Sequence, residues 1–291
     1  MNKRGQITLF VIAGILIVVA VGIFVLFRSG TVQIPITSEQ ADKIVATQAA
    51  SVRSYVEGCM EITVTRTLNT LGRQGGYIWP RSSRYSVPYE VFPDSPAMSY
   101  ALFKEDNQYK SFFPTLSEIK GEFISVMEGN PDFDSCINNF NSFRKTVDVS
   151  AGEMKIDNST IDFGEKSGQI VIDFTYPLTL TKQDATTLVD DYSISIPINL
   201  AKIHENALLI MNQKASGKSV TVIMQDQAKS QEQALRQSPN AETMFLSSRS
   251  YEMMSTGGEG KVFNLQNTLF TIEYSNPLLE NPYNFYFLTG E

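Results

Sequence analysis

The chain contains one imidazole, His204, and it falls on a segment with helical spacing. A lone histidine there reads as a surface or satisfied core residue. Metal or base chemistry would need further ligands at fixed spacing, and no His/Cys cluster supplies them, so no zinc or other metal is expected. Gly72, Gly75 and Gly76 follow a helical run instead of opening one after a strand, which makes them turn residues and not a phosphate cradle. The sequence has no G-x-S-x-G elbow, no Walker sequence and no cysteine beside a partner base. Asp190-Asp191 and the Asp132/Asp134 pair could hold a cation weakly, but both read better as solvated turn carboxylates. No catalytic or cofactor-binding residue is therefore assigned, no cofactor is expected, and a non-enzymatic role is the expectation. Two chemical sites remain. Cys59 and Cys136 are the only cysteines, and outside the cytoplasm such a pair forms a disulfide; two unrelated buried thiols are the competing reading. Asn158-Ser159-Thr160 is the sole N-glycosylation sequon, in a polar turn where a glycan could be accepted.

The elements that position these residues fall into two stretches. Ser38 is expected to cap a helix reaching Leu71, with Ala41, Val45, Val52, Val56, Cys59, Val64 and Leu68 on one stripe and Gly72 as its C-cap. Residues 77–113 are rich in Tyr, Ser and Pro and read as loops with short strands. Thr115-Leu116-Ser117-Glu118 is a capping box that opens a second helix, and Gly129-Asn130-Pro131 closes it. A third, short helix would carry Phe133, Cys136, Ile137, Phe140 and Phe143 on one face, so a disulfide would staple it to the first. After Lys145 the period changes from 3.6 to 2. Residues 154–163, 169–180 and 192–199 alternate as antiparallel strands, with a turn at 164–168. Helical spacing returns over 200–213, residues 225–236 read as a helix or crossover, 245–254 as a helix, and 262–274 and 283–288 as strands. The expected class is α+β: a mainly helical part over 38–145 and an antiparallel β-rich part over 146–291, as one domain or two.

Residues 7–27, ITLFVIAGILIVVAVGIFVLF, contain no charge and no proline. As a helix this run would span roughly 31 Å, close to a hydrocarbon core of about 30 Å. Lys3 and Arg4 precede it and only Arg28 follows directly, so the positive-inside rule places the N-terminus in the cytoplasm and the rest outside. The expectation is a leader over 1–5, a single membrane span over 6–28, a linker over 29–37 and an extracytoplasmic domain. A removed secretory signal fits less well, because the run is longer than the usual apolar core. Small residues Ala13, Gly14, Ala20 and Gly22 recur on the span and offer a face for close helix packing. Beyond Arg28 the chain carries 21 basic against 31 acidic residues, a net of −10, which repels nucleic acid.

Lys3-Arg4-Gly5-Gln6-Ile7-Thr8 sets a short basic leader and a glycine directly before the Gln that opens the apolar run. This junction resembles the class III signal peptide of archaeal type IV pilins and archaellins. The resemblance implies cleavage between Gly5 and Gln6 by a membrane prepilin peptidase, with the helix left as an anchor or filament core. Phe10 stands where that family commonly has a glutamate. The outer part, with its C-x-E sequence at Cys59-Met60-Glu61 and L-G-R-Q-G-G-Y-I over 71–78, resembles a group of uncharacterised envelope proteins in small-genome (DPANN-type) archaea. The expectation is a pilin-like, single-span surface protein. Its implied partners are membrane lipid and copies of itself or other envelope components, with no nucleic acid. A filament subunit polymerised through residues 6–27, or an anchored binding protein or enzyme with a cleft near 77–109, are the rivals.

Overall fold

The computed structural model describes residues 37–78, 89–90, 98–105, 107–237, 242–256 and 262–290. The leader, the apolar run and the linker as far as residue 36, including Gly5, Gln6, Ala13, Gly14, Ala20 and Gly22, lie outside the described residues. Among the described residues no helix is long and apolar enough to cross a membrane.

The framework is helix α1, Ser38–Arg73. Its N-cap is Thr37 and not Ser38: the Thr37 hydroxyl accepts from Gln40 N, while the Gln40 side chain accepts from Thr37 N. Both hydroxyls could cap, but only Thr37 has a reciprocating Gln three residues on. The buried stripe from Ala41 to Leu71 follows the expected spacing. Gly72 is also buried inside the helix, and Gln74 is the C-cap. What demands glycine at 72 is a crossing: a Cβ there would stand 2.5 Å from the Asn284 carbonyl oxygen and 2.7 Å from the Tyr283 hydroxyl.

Two sheets pack against this rod. The first is assembled from β1 (Tyr89–Glu90), β2 (Met98–Glu105), β3 (Gln108–Ser111), β8 (Thr243–Thr256), β9 (Val262–Ser275) and β10 (Tyr283–Gly290). Its order is β1-β2-β10-β9-β8, with β3 also on β2, and β10 runs parallel to β2. The last turns of α1 lie on this sheet, where the buried Tyr283 hydroxyl donates to Leu68 O at 2.9 Å. The second sheet contains β4 (Asp148–Ala151), β5 (Ile161–Phe163), β6 (Ile170–Lys182) and β7 (Ala185–Ile196). Strand β6 carries β4 and β5 along one edge and β7 along the other. The middle of α1 lies against β7: Arg53 donates to Asp191 O and its guanidinium sits 5.5 Å from the Tyr192 ring centroid.

Helices α2 (Leu116–Met127) and α3 (Pro131–Ile137) pack beside α1, and α4 (Leu200–Ala215) and α5 (Val220–Gln237) connect the two sheets in sequence. One apolar cluster runs through all these layers, from Ala41 on α1 through Phe123, Phe163 and Ile210 to Phe287 on β10.

The mixture of helix and sheet agrees with the sequence, but several details are corrected. The first sheet takes strands from both sides of α2, so the order is not helices first and sheet later. Residues 245–254 form strand β8, not a helix. Phe245, Ser247 and Arg249 are exposed while Leu246 and Ser248 are half-buried, a period of 2 that pairing with β9 along the whole strand exploits. The expected strand over 154–163 is broken. Lys155 makes a lone bridge to Thr175, a 3₁₀ turn occupies Asn158–Thr160, and only Ile161–Phe163 pairs as β5. The third helix stops at Ile137, because Asn138, Asn139 and Phe140 all have positive φ. Asp190-Asp191 lies within β7 instead of a turn. It sits near an irregularity in the β6 register between Thr175 and Leu178, on the edge that faces α1.

Candidate functional site

Cys59 and Cys136 form the expected disulfide, with Cα atoms 5.7 Å apart. Helix α1 delivers Cys59 on its buried stripe, and the last turn of α3 delivers Cys136. Asn130 caps α3 by accepting from Asp132 N at 2.9 Å, and Pro131 takes the first helical position, where a missing N–H costs nothing. Beside the bridge the Tyr55 hydroxyl donates to Cys136 O, and its ring meets Phe140 and Phe143 edge-on at 6.3 and 5.4 Å. The bridge therefore ties the sequence-distant helix to the rod at the point where the chain turns back through its left-handed residues.

Two grooves open next to this staple, on either side of residues 152–157. The larger, about 700 Å³, is lined by Glu128, Asp134, Glu153, Lys155 and Asp157 around the edges of Phe133 and Tyr176. The smaller, about 380 Å³, is lined by Arg53, Glu57, Lys155, Asp157, Asp173 and Asp191, with Phe174 and Tyr192 as its aromatic wall. Lys155 and Asp157 belong to both. The crossing segment is held in three ways. Lys155 exchanges two backbone hydrogen bonds with Thr175 at 2.9 and 3.0 Å, Ile156 N donates to a Glu128 carboxylate oxygen at 3.3 Å, and Gly152 packs on Pro177.

The electrostatics follow from the positions. Burial raises the Tyr176 phenol, and the Asp134 charge adds to it. Burial likewise pushes the Tyr192 phenol well above the ordinary tyrosine range, against the opposing pull of Arg53. Asp157 is held below the usual carboxylate range by hydrogen bonds from the Ser159 hydroxyl and the Ser159 N–H. The grooves thus set carboxylates, and the cations Lys155 and Arg53, around phenols that burial keeps neutral. Such a lining can accept hydrogen bonds from ammonium or hydroxyl donors.

The other residues singled out in the sequence go elsewhere. His204 is buried in the core: its Nε2–H donates to Pro114 O at 2.7 Å and its ring stacks on Phe113 at 4.8 Å. Burial lowers its pKa, which leaves it a neutral packing residue. The Asp132 carboxylate lies 3.3 Å from the exposed Arg66 guanidinium. Asp134, its helical neighbour, lines the larger groove. Among the described residues no group of three His, Cys, Asp or Glu side chains is placed to hold a metal ion. Asn158 is exposed on the 3₁₀ turn that follows Asp157. None of the described residues within 77–109 lines either groove, and much of that stretch lies outside the described residues. Sequence reasoning missed the grooves because their lining comes from five separate elements, with no local spacing to betray it. The one available signal was the run Glu153-Met154-Lys155-Ile156-Asp157, where charge alternates with apolar side chains. Comparison with protein-family models, with curated proteins and with solved structures returned no match.

Proposed function

We propose that the chain is a non-enzymatic, pilin-like archaeal cell-surface protein of α+β class. In this reading residues 6–28 cross the membrane once with the N-terminus cytoplasmic, and the disulfide-stapled domain stands outside and associates with copies of itself or with other envelope components. The observation that carries the reading is the Cys59–Cys136 disulfide in a chain that also has the uninterrupted apolar run over 7–27. Disulfides persist in oxidising compartments, and an apolar run of that length partitions into a bilayer. The basic Lys3-Arg4-Gly5 before Gln6 supports processing by a prepilin peptidase, and the acidic surface suits an exterior that binds no nucleic acid.

Intact mass and N-terminal sequencing of the native protein, from membranes and from sheared surface filaments, test it. A chain beginning at Gln6 in the sheared fraction identifies a filament subunit polymerised through residues 6–27. A chain beginning at Met1 and confined to membranes leaves a permanent anchor and removes the pilin-like part of the reading. Recovery from the soluble cytoplasm contradicts the whole.

The paired grooves favour a second reading, a membrane-anchored solute- or polymer-binding protein or enzyme. Neutral aromatic edges flanked by carboxylates are what a polyhydroxylated or cationic ligand needs. Saturable binding of such a ligand to the folded domain, lost on Asp134→Ala or Asp157→Ala, would favour it.

A further inference from the structure

We propose that Asn158 carries an N-linked glycan, attached before the surrounding turn closes and standing at the shared rim of the two grooves. This rests on the extracytoplasmic reading of the domain. Three observations converge on it.

Asn158 opens the only Asn-x-Ser/Thr sequence in the chain and is exposed at the first position of the 3₁₀ turn. The bonds that hold the turn run through its neighbours. Asp157 accepts from Ser159 N at 2.8 Å and from the Ser159 hydroxyl at 2.7 Å, and the Thr160 hydroxyl shares its one proton between Asp157 O and Asp173 O, both at 2.7 Å. The Asn158 amide can therefore be substituted with a bulky polar group at no cost to these bonds. Asp157, immediately before it, lines both grooves, and Thr160 lines the smaller one. A glycan on Asn158 accordingly rises beside both openings.

The same bonds fix the order of events. A transferase that recognises the sequon must engage the Thr160 hydroxyl, and in the folded domain that hydroxyl is committed to two carbonyls, one of them on β6. Transfer therefore precedes pairing of this segment with β6. In the transfer, Asn158 Nδ2 forms a bond to the anomeric carbon of a sugar carried on a polyprenyl-linked phosphate. The anomeric carbon–oxygen bond to phosphate breaks, the phosphate leaves with the electron pair, and one amide proton passes to solvent. No oxidant or reductant is involved.

The test is mass spectrometry of a tryptic digest of native protein from its own cells, read at peptide 156–166 and at both cysteine peptides. The expected result is a glycopeptide with hexose-type mass increments on Asn158. The increments disappear in N158Q and T160V and persist in S159A and T160S, which keep the sequon. Unmodified peptide 156–166 overturns the proposal. With the cysteines still paired, the extracytoplasmic reading survives that result; with both free for alkylation, it falls as well. For the order of events, host membranes should glycosylate a synthetic 156–166 peptide but not the folded, unmodified full chain. Modification of the folded chain at a comparable rate overturns the pre-folding step.

Discussion

Removing the disulfide should cost this domain a large share of its stability, and the size can be worked from the fold. Cys59 and Cys136 are 77 positions apart, and the loop they close contains β1 to β3, α2 and most of α3. On the chain-entropy model, closing a loop of that size restricts the unfolded state by about 15 cal/mol/K, or about 4.5 kcal/mol at 25 °C. Cys59 is 2 % exposed within the shared apolar core and Cys136 packs against that core, so alanine at both positions keeps most of the packing. The entropic part therefore dominates, and the double variant C59A/C136A should lose about 4 kcal/mol. The assay is equilibrium urea unfolding of residues 37–291, oxidised, reduced and as the double variant, read by far-ultraviolet circular dichroism. Reduced protein and variant should unfold together at a midpoint well below that of the oxidised protein. A difference under about 1 kcal/mol would mean that the unfolded chain already holds these segments together and that loop closure contributes little.

Gly72→Ala should destabilise by about 3 kcal/mol, because the new methyl group would stand 2.5 Å from a backbone oxygen of β10 that cannot retreat as a side-chain tip could; denaturant midpoints check it. Tyr283→Phe removes a buried hydroxyl from Leu68 O, but that carbonyl keeps its own helical bond and is not orphaned, so about 1 kcal/mol should be lost. Burial alone would raise the Asp162 carboxyl, yet donors from Ser167, Lys166 and Gly164 hold it at about 2. Its folded-state pKa is thus depressed below the unfolded value of about 3.9. The stability it contributes is present above that value and is lost as pH falls through about 2, so thermal melts of Asp162→Asn should show a shallower acid decline than the parent.

Much of the architecture was legible because local chemistry dictated it. The Thr115–Glu118 capping box forms with both of its bonds, Thr115 N to the Glu118 carboxylate at 2.7 Å and Glu118 N to the Thr115 hydroxyl at 3.2 Å. The turn over 164–168 joins β5 to β6 as its glycines required, and the cysteine pairing followed from Cys59 and Cys136 being the only two cysteines, both in the part expected outside the cytoplasm. What failed was non-local. Residues 245–254 read as helix because Phe245, Leu246, Tyr251, Met253 and Met254 fit either period, and only pairing with β9 decides between them. The break after Ile137 was hidden because Asn138 and Asn139 tolerate left-handed backbone without announcing it, whereas Phe140 adopts it only under tertiary constraint. Gly72 read as a C-cap, yet its requirement comes from a strand more than 200 residues away. The grooves were invisible for the same reason: Asp134, Asp157, Asp173 and Asp191 meet only through the fold.

The proposed topology sets the disulfide-stapled domain on the outer face of a membrane, held by residues 6–28. Protease shaving of intact cells tests it most directly, followed with an antibody to the C-terminal strand. With that topology the domain is cleaved from intact cells while cytoplasmic proteins stay whole, and an apolar N-terminal fragment remains in the membrane pellet. A domain protected until the cells are lysed, with Cys59 and Cys136 reduced, would contradict it.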